Sequence, residues 1–159
     1  MTPVIGTAAS GLWEATYTFE LPEGEWTAVD YETKGWKTGK AAFGTDDNPY
    51  RSTPWQDGDI WVRRSFDWPE GTDKEDLFLL YSHDDNIELY INGKQVAVTG
   101  NGLDYDLLKE IPQEVANTLK PTGNILAAHC RNNGGGAYVD MGLITSVKRG
   151  DTFDNKAVQ

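Results

Sequence analysis

The stretch IELYINGKQVAV, residues 87–98, decides the fold of this chain. Two runs of strand-forming residues flank Asn92-Gly93, and Asn-Gly is the pair that best tolerates the positive φ angles of a type I′ turn. The segment therefore predicts a tight β-hairpin, with strands at residues 87–91 and 95–98. The other strands are placed outward from this hairpin.

Short strand-like runs recur along the chain, separated by turns that carry Pro or Gly, such as PEG (22–24), PEG (69–71) and PTG (121–123). This spacing favours an antiparallel sandwich over βαβ units. One short helical turn is predicted at residues 112–119, where Val115 and Leu119 are four residues apart. The predicted fold class is an all-β antiparallel β-sandwich, with strands at residues 13–21, 59–67, 76–82, 87–91, 95–98, 124–131 and 137–147.

A length of 159 residues and a hydrophobic content of 38% predict one domain with a sizeable core. We place the sandwich at residues 13–148, after a flexible N-terminal segment at 1–12 and before a tail or linker at 149–159. The segment 32–58 contains Gly, Pro, Asp, Asn and two Trp without sustained alternation. A loop of that length is usually functional or else hides a short strand.

The formal net charge of −11, with no cluster of Lys and Arg, repels phosphate groups. Nucleic acid and anionic membranes are therefore not expected as partners, whereas a neutral polar ligand suits the surface. No apolar run approaches the roughly 20 residues of a membrane span. Residues 1–11 lack the basic start and apolar middle of a signal peptide. The sequence leaves open a cytoplasmic protein or a part of a longer exported one.

Cys130 is the only cysteine, which excludes an internal disulfide and a multi-thiolate metal site. It alternates with Leu126 and Ala128, so we expect a small buried core residue. His83 and His129 have no metal-ligand spacing, and neither a nucleophile motif nor a phosphate-binding loop occurs. Enzymatic activity within this chain is therefore not expected.

An arginine falls on an apolar strand face. Side chains alternate across a strand, so Arg64 shares a face with Ile60, Val62 and Phe66. A guanidinium there needs a partner, because an unpaired buried charge is costly. Asp140, on the last predicted strand, is the candidate partner. A structural ion pair is one interpretation of Arg64, and direct ligand contact is the other.

Candidate ligand-binding residues fall in the loops. Trp36 and Trp55 lie in the long segment, and aromatic rings stack on the apolar faces of sugars while polar neighbours fix the hydroxyl groups. The loop CRNNGGGAY joins two strands through three glycines and contributes Arg131, Asn132 and Tyr138. The alternative for each of these residues is packing or turn formation.

Asp84 and Asp85 directly precede the hairpin. Adjacent residues at a strand start point apart, so they make a poor glycosidase pair, whose carboxyl groups face each other at about 5 to 9.5 Å. Calcium ligation stays open, because oxygen ligands are abundant although no spaced D-x-D-x-D loop occurs. No other cofactor is expected. The remaining interpretation is that the two carboxylates shape the loop or accept hydrogen bonds from ligand hydroxyl groups.

Four segments together carry a family resemblance. In order they are GWKTGKAAFG (35–44), TPWQDGDIWVRRSF (53–66), HDDNIELYINGKQV (83–96) and LKPTGNILAAHCRNNGGGAYVDMGL (119–143). The chain resembles, over residues 13–147, the sugar-binding jelly-roll domain of family 2 glycoside hydrolases, within the galactose-binding-domain-like superfamily. The resemblance implies an eight-to-nine-stranded β-sandwich, usually noncatalytic and attached to the catalytic domain of a secreted or periplasmic polysaccharide-degrading enzyme.

The resemblance also implies a role for the loop that opens the hairpin. In the β-galactosidase members this loop lies near the neighbouring domain's active site and can touch the sugar. The resemblance therefore implies, by position, that Asp84 and Asp85 lie near a sugar. The catalytic barrel and its glutamates are absent from this chain, so hydrolysis is not implied. A similar module occurs in bacterial proteins described as glutaminases.

The expected function is a noncatalytic carbohydrate-binding or accessory module of a larger polysaccharide-degrading hydrolase. Its partners would be carbohydrate and the catalytic domain of the same polypeptide. One alternative is a structural interaction domain that packs on a glycoside hydrolase or glutaminase-like partner without binding sugar. Another is a polar enzymatic site formed by His83, Asp84, His129 and Asp140.

Overall fold

The computed structural model describes residues 2–48 and 50–145 as two stacked sheets around one core, which confirms the predicted all-β sandwich. Nearly all of the regular structure is strand. The strands are β1 Thr2–Ile5, β2 Glu14–Thr18, β3 Lys37–Lys40, β4 Phe43–Gly44, β5 Thr53–Pro54, β6 Gly58–Phe66, β7 Leu77–Asp84, β8 Asn86–Ile91, β9 Lys94–Thr99, β10 Asp104–Glu110, β11 Asn124–Asn132 and β12 Tyr138–Thr145. One short helix, α1, spans Gln113–Ala116, within the predicted helical turn.

The first sheet has the order β10-β7-β12-β4-β5, and β1 also pairs with β12. The second sheet has the order β3-β2-β6-β11-β8-β9. All pairings are antiparallel except that of β4 with β5, which is parallel. The edge strands are therefore β10, β5 and β1 in the first sheet, and β3 and β9 in the second.

The hairpin that anchored the prediction is confirmed. Strands β8 and β9 pair antiparallel, and the two turn residues have positive φ angles, 49° at Asn92 and 86° at Gly93, as a type I′ turn requires. The Asn92 side chain also ties the turn to its surroundings, since its Nδ2 donates to the Thr118 carbonyl at 3.0 Å and its Oδ1 accepts from the Ile125 amide at 2.9 Å. The turn is thus held by local conformation and by tertiary hydrogen bonds.

The core lies between the inner faces of the sheets and follows the predicted alternation. Cys130 is fully buried, which confirms its assignment, and burial raises the pKa of its thiol far above the usual value. Val115 and Leu119 are also buried, so the short helical segment covers one edge of the core. In the part of the chain that the structure describes, no helix is long and apolar enough to cross a membrane.

Five strands were not predicted. β3, β4 and β5 are two to four residues long and lie in the long segment that could hide a strand. β10 is mostly exposed, so it lacks hydrophobic alternation. β1 lies in the segment placed before the sandwich, and a 3-10 helix at Ala8–Ser10 follows it. The predicted end of the last strand, residues 146–147, and the tail at 149–159 lie outside the described residues.

Candidate functional site

Several loops meet at one end of the sandwich. We call this surface the end rim and define it as residues 45–48, 50–57, 84–86, 100–103 and 131–138. Side-chain hydrogen bonds join its loops: Asn133 Nδ2 donates to both Asn86 Oδ1 and Asn101 Oδ1 at 2.6 Å, and Asn48 Nδ2 donates to the Ala137 carbonyl at 2.8 Å. The rim is therefore one connected surface.

Asp85 holds three rim loops together. Its carboxylate accepts from the Asn133 amide at 2.7 Å and from the Gly102 amide at 3.3 Å, while its own amide donates to the Arg131 carbonyl at 3.0 Å. These bonds match the interpretation in which the acidic pair shapes the loop. The position of Asp85 before the hairpin was the sequence signal that singled it out.

Asp84 meets a second carboxylate across the rim. A Cβ atom built on Gly136 would lie 3.3 Å from Asp47 Oδ2 and 3.5 Å from Asp84 Oδ2, so both carboxylates converge on this glycine. Burial, the hydrogen bond and charge of Asp85, and the charge of Asp47 raise the pKa of Asp84 to about 6. No group of three or more His, Cys, Asp or Glu side chains within the described ranges is arranged to hold a metal ion.

We expect Asp84→Asn to raise the melting temperature at pH 7.5. The folded-state pKa of Asp84 lies above its ordinary value, so the folded chain binds this proton more tightly than the unfolded chain does. Ionised Asp84 therefore costs stability at pH 7.5, and the cost disappears as the pH falls from about 6 to about 4. Melting curves at pH 7.5 and pH 4.5 should show the gain at the higher pH only. The control is Asp57→Asn at an exposed carboxylate, and an equal gain in both variants would contradict the assignment.

Two predicted ligand contacts are buried and held by contacts within the protein. The Asn132 amide donates to the carbonyl groups of Gln56 and Gly135 and accepts from the Gly134 amide. The Tyr138 side chain is only 2% exposed, and its ring packs edge-on against Tyr105 at 5.5 Å. Asn132 and Tyr138 therefore support the loops from within and do not offer an exposed surface for a ligand.

Arg131 is exposed beside a second depression. This depression has a volume of about 520 Å³, and its lining includes Asn86, Glu88, His129 and Asn133 as well as Arg131. The depression lies on the outer face of the second sheet. Side chains alternate along β11, so His129 and Arg131 point away from the core that contains Cys130. Among the predicted charged candidates, Arg131 is exposed, whereas Asp84 and Asp85 are half-buried.

The two predicted aromatic candidates lie in different surroundings. Trp36 is half-buried and packs edge-on against Tyr31 at 6.0 Å, and Tyr31 in turn lies 5.5 Å from the Arg63 guanidinium. This group covers the outer face of the second sheet. Trp55 is on the end rim, where it is 3% exposed. The structure therefore does not combine the two tryptophans into one platform.

Trp55 lines a cavity of about 620 Å³, which we call the Trp55 cavity. Phe19 contributes a second ring and is 40% exposed. The carboxylates of Asp46, Asp47 and Asp57 line the same cavity. The indole Nε1 of Trp55 is buried and has no hydrogen-bond partner within the described residues. Sequence reasoning missed Phe19 and the three aspartates, although the acidic residues flank Trp55 in TDDNPYRSTPWQDGD and could have signalled the site.

Arg64 and Asp140 are buried near one another but are linked through other groups. Arg64 Nη1 donates to the carbonyl groups of Gly6 at 2.6 Å and Met141 at 2.7 Å, and its guanidinium lies 4.4 Å from the centre of the Trp13 ring. The Trp13 indole N–H donates to Asp140 Oδ1 at 2.8 Å. The predicted direct ion pair is thus replaced by an arrangement in which Trp13 lies between the two charges.

Burial raises the pKa of Asp140 to about 6, although its hydrogen bonds and the charge of Arg64 act in the opposite direction. Burial also lowers the pKa of Arg64 to about 10, against the attraction of Asp140. The two charges therefore attract each other, but neither residue lies on the end rim. Their position indicates a structural role.

The four residues of the enzymatic alternative do not form one site. His129 stacks on Trp61 at 4.6 Å and contacts Asp59 on the outer face of the second sheet. His83 pairs in register with Val139, so its side chain and that of Asp140 lie on opposite faces of the first sheet. Only His83 and Asp84 are neighbours. This separation removes the argument for a shared catalytic centre.

The sequence matches no protein-family model and no curated protein. Solved structures nevertheless share the fold. A β-glucuronidase 3 of Bacteroides uniformis aligns with a TM-score of 0.58 over 91% of this chain at 14% identity. A calcium-binding mutant of β-glucuronidase 2 from the same organism aligns with a TM-score of 0.57 over 84% at 16% identity. A glycosyl hydrolase family 2 member from Bacteroides cellulosilyticus aligns with a TM-score of 0.55 over 84% at 12% identity.

These matches confirm the resemblance drawn from the sequence at the level of the fold. The chain spans only 23%, 17% and 20% of the lengths of these three proteins, respectively. It therefore corresponds to a small part of each of these proteins.

Proposed function

We propose that this chain is a noncatalytic accessory domain of a larger glycoside hydrolase, secreted or periplasmic, and that it binds carbohydrate in the Trp55 cavity. The Trp55 cavity is the observation that carries the proposal. A fold found as a fraction of several glycosidases supports the accessory role. The catalytic domain of the same polypeptide would be its second partner.

The composition of the Trp55 cavity suits a sugar. The volume of about 620 Å³ is within the range of small-ligand sites. The exposed ring of Phe19 offers a surface on which the apolar face of a pyranose can pack, and the Gln56 amide and the nearby carboxylates offer donors and acceptors for hydroxyl groups. The Trp55 ring forms part of the cavity wall, while its indole N–H lies beneath the surface.

The end rim contributes the remaining candidates. Asp85 keeps the loops in place, and the Asp84 carboxylate converges with that of Asp47 on Gly136. Arg131 presents its side chain at the neighbouring depression. Asn132 and Tyr138 support the loops from beneath. Trp36, on the outer face of the second sheet, would serve only a ligand that extends along that face.

Titration of the protein with neutral oligosaccharides, followed by NMR chemical shifts and calorimetry, tests the proposal. We expect shifts in the residues that line the Trp55 cavity. Phe19→Ala should weaken binding about tenfold, because it removes an exposed stacking surface worth roughly 1–2 kcal/mol. Trp36→Ala is the matched control and should leave binding unchanged. No binding at millimolar concentration to any glycan would overturn the sugar-binding role.

A second function is favoured by the apolar side chains on and beside the end rim. Tyr50, Leu103 and Tyr105 are all exposed there, and exposed apolar groups on one surface mark contact sites. In this alternative the domain docks on its catalytic partner without touching sugar. Co-elution with the separately expressed catalytic domain, lost in Leu103→Asp and retained in Leu21→Asp, would support it.

A further inference from the structure

We infer that the Asn101-Gly102 pair on the end rim is a site of self-modification, at which Asn101 is converted to aspartate and isoaspartate through a cyclic succinimide. The sequence contains three Asn-Gly pairs, at residues 92–93, 101–102 and 133–134. Glycine has no Cβ atom, so the side-chain amide of the preceding asparagine can approach the glycine nitrogen closely. The surroundings of the three pairs differ, and they single out Asn101.

The nucleophile at this pair is the Gly102 backbone nitrogen, and a carboxylate accepts its hydrogen bond. The Gly102 N–H donates to Asp85 Oδ1 at 3.3 Å. The nitrogen becomes acidic as it bonds to carbon, so a carboxylate in this position can take up its proton as a general base. Asp85 is held there by a second bond, because its Oδ2 accepts from the Asn133 backbone amide at 2.7 Å.

The electrophile is the Cγ atom of Asn101, and its carbonyl oxygen already has a donor. Asn101 Oδ1 accepts from Asn133 Nδ2 at 2.6 Å. A donor at this oxygen stabilises the negative charge that develops on it when the nitrogen attacks. The leaving group, Nδ2 of the exposed Asn101, has no hydrogen-bond partner within the described residues. A base, an oxyanion donor and a free leaving group thus meet at one peptide unit.

The Asn92-Gly93 pair lacks this arrangement. Asn92 Nδ2 donates to the Thr118 carbonyl at 3.0 Å and to Asn124 Oδ1 at 3.1 Å. Asn92 Oδ1 accepts from the Ile125 amide at 2.9 Å. These three bonds fix the side chain, and they must break before it can reach Gly93. A displacement of about 1 Å from a reactive geometry can slow a reaction about 100-fold.

The Asn133-Gly134 pair is held in a different way. Asn133 Nδ2, the group that would leave, donates to both Asn86 Oδ1 and Asn101 Oδ1 at 2.6 Å. The Gly134 N–H donates to Asn132 Oδ1 at 3.1 Å, and this acceptor is a neutral amide, a much poorer base than a carboxylate. We therefore expect the folded protein to react first at Asn101.

The reaction balances without an oxidant or a reductant. Gly102 N bonds to Asn101 Cγ as the Cγ–Nδ2 bond breaks. The proton taken up by Asp85 passes through solvent to the departing nitrogen, which leaves as ammonia. A water molecule then opens the succinimide at either carbonyl carbon, which gives aspartate when the new N–Cγ bond breaks and isoaspartate when the original peptide bond breaks. Both products add a negative charge to the rim, and isoaspartate also lengthens the backbone before Gly102.

Peptide mapping by mass spectrometry, on protein kept at pH 8 and 37 °C, tests the inference. We expect conversion at Asn101 to be at least about tenfold faster than at Asn92 or Asn133. Ammonia should be released, and oxygen from isotopically labelled water should appear in the product. In the chain unfolded in urea the three pairs should react at similar rates, because the contacts that distinguish them are lost.

Two variants test the assigned groups. Asp85→Asn removes the base and Asn133→Ala removes the oxyanion donor, and each should slow the conversion of Asn101 about tenfold or more in the folded protein. Neither substitution should alter the rate at Asn101 in urea. Asp106→Asn is the matched control, since it removes an exposed carboxylate on β10, and it should leave the rate unchanged.

Three results would overturn the inference. Equal rates at the three pairs in the folded protein would show that the fold does not select Asn101. An unchanged or faster rate in Asp85→Asn or Asn133→Ala would show that these groups do not promote the reaction. An unmodified Asn101 in the folded protein, over the time in which the chain in urea reacts completely, would show that the fold protects the pair.

Discussion

Asp140→Ala is expected to lower the free energy of unfolding by about 3–5 kcal/mol. The Asp140 carboxylate is 4% exposed and accepts three hydrogen bonds, from the Ala8 amide at 2.8 Å, the Trp13 indole at 2.8 Å and the Met141 amide at 2.9 Å. Alanine would leave all three donors buried without this acceptor. It would also leave the buried Arg64 without the nearby negative charge that Asp140 provides.

Urea unfolding at pH 7, followed by tryptophan fluorescence and by circular dichroism, measures the effect. Asp140→Asn keeps one acceptor oxygen and should cost less than Asp140→Ala. Asp57→Ala removes an exposed carboxylate and should change stability by less than about 0.5 kcal/mol. Equal stability of Asp140→Ala and Asp57→Ala would show that the three bonds contribute little to the fold.

Gly142→Ala is expected to destabilise the protein by about 2–3 kcal/mol and to displace β1. A Cβ atom on Gly142 would lie 2.6 Å from the Ile5 carbonyl oxygen and 3.0 Å from both the Gly6 carbonyl carbon and the Thr7 amide nitrogen. All three are backbone atoms, so no side chain can rotate away to make room. The N-terminal strand must shift from β12 instead.

Hydrogen exchange separates this local effect from a general loss of stability. In Gly142→Ala we expect faster exchange of the amides in β1 and at Ala8, with little change in β11. Gly100→Ala is the matched control, because a Cβ atom at Gly100 would meet no atom within 4 Å. Normal protection of β1 in Gly142→Ala would contradict the proposed displacement.

The central strands could be predicted because turn conformation and hydrophobic alternation depend on residues close together in the sequence. The Asn92-Gly93 turn fixes a hairpin through backbone conformation alone, and alternation places Cys130 and Arg64 inside the sandwich. The peripheral strands lack such signals: β10 is exposed, and β1 is held by pairing with β12 and by the Ala8 bond to Asp140, residues more than 130 positions apart in sequence. Contacts at that separation leave no trace in a local pattern.

The candidate site also combines residues that the sequence identified with residues that only the tertiary structure brings to it. Asp84, Asp85 and Trp55 could be identified because of their position beside strands or their chemistry. Phe19 could not be assigned to the Trp55 cavity, because it lies at the end of β2 and reaches the site only when the sheets stack. The same stacking separates Trp36 from Trp55, which share one segment of the sequence. Residue type thus indicated the chemistry, while the topology determined which residues share a cavity.

Four of the edge strands described above bear on how the domain behaves at high concentration. An edge strand exposes unpaired backbone groups that can recruit another chain and start aggregation. Here β3 has the sequence KTGK, β5 is two residues long, β9 begins with Lys94, and β10 carries charged residues and an irregular register between Asp104 and Leu107. Charge, brevity and irregularity each discourage fibril-like growth at these four strands.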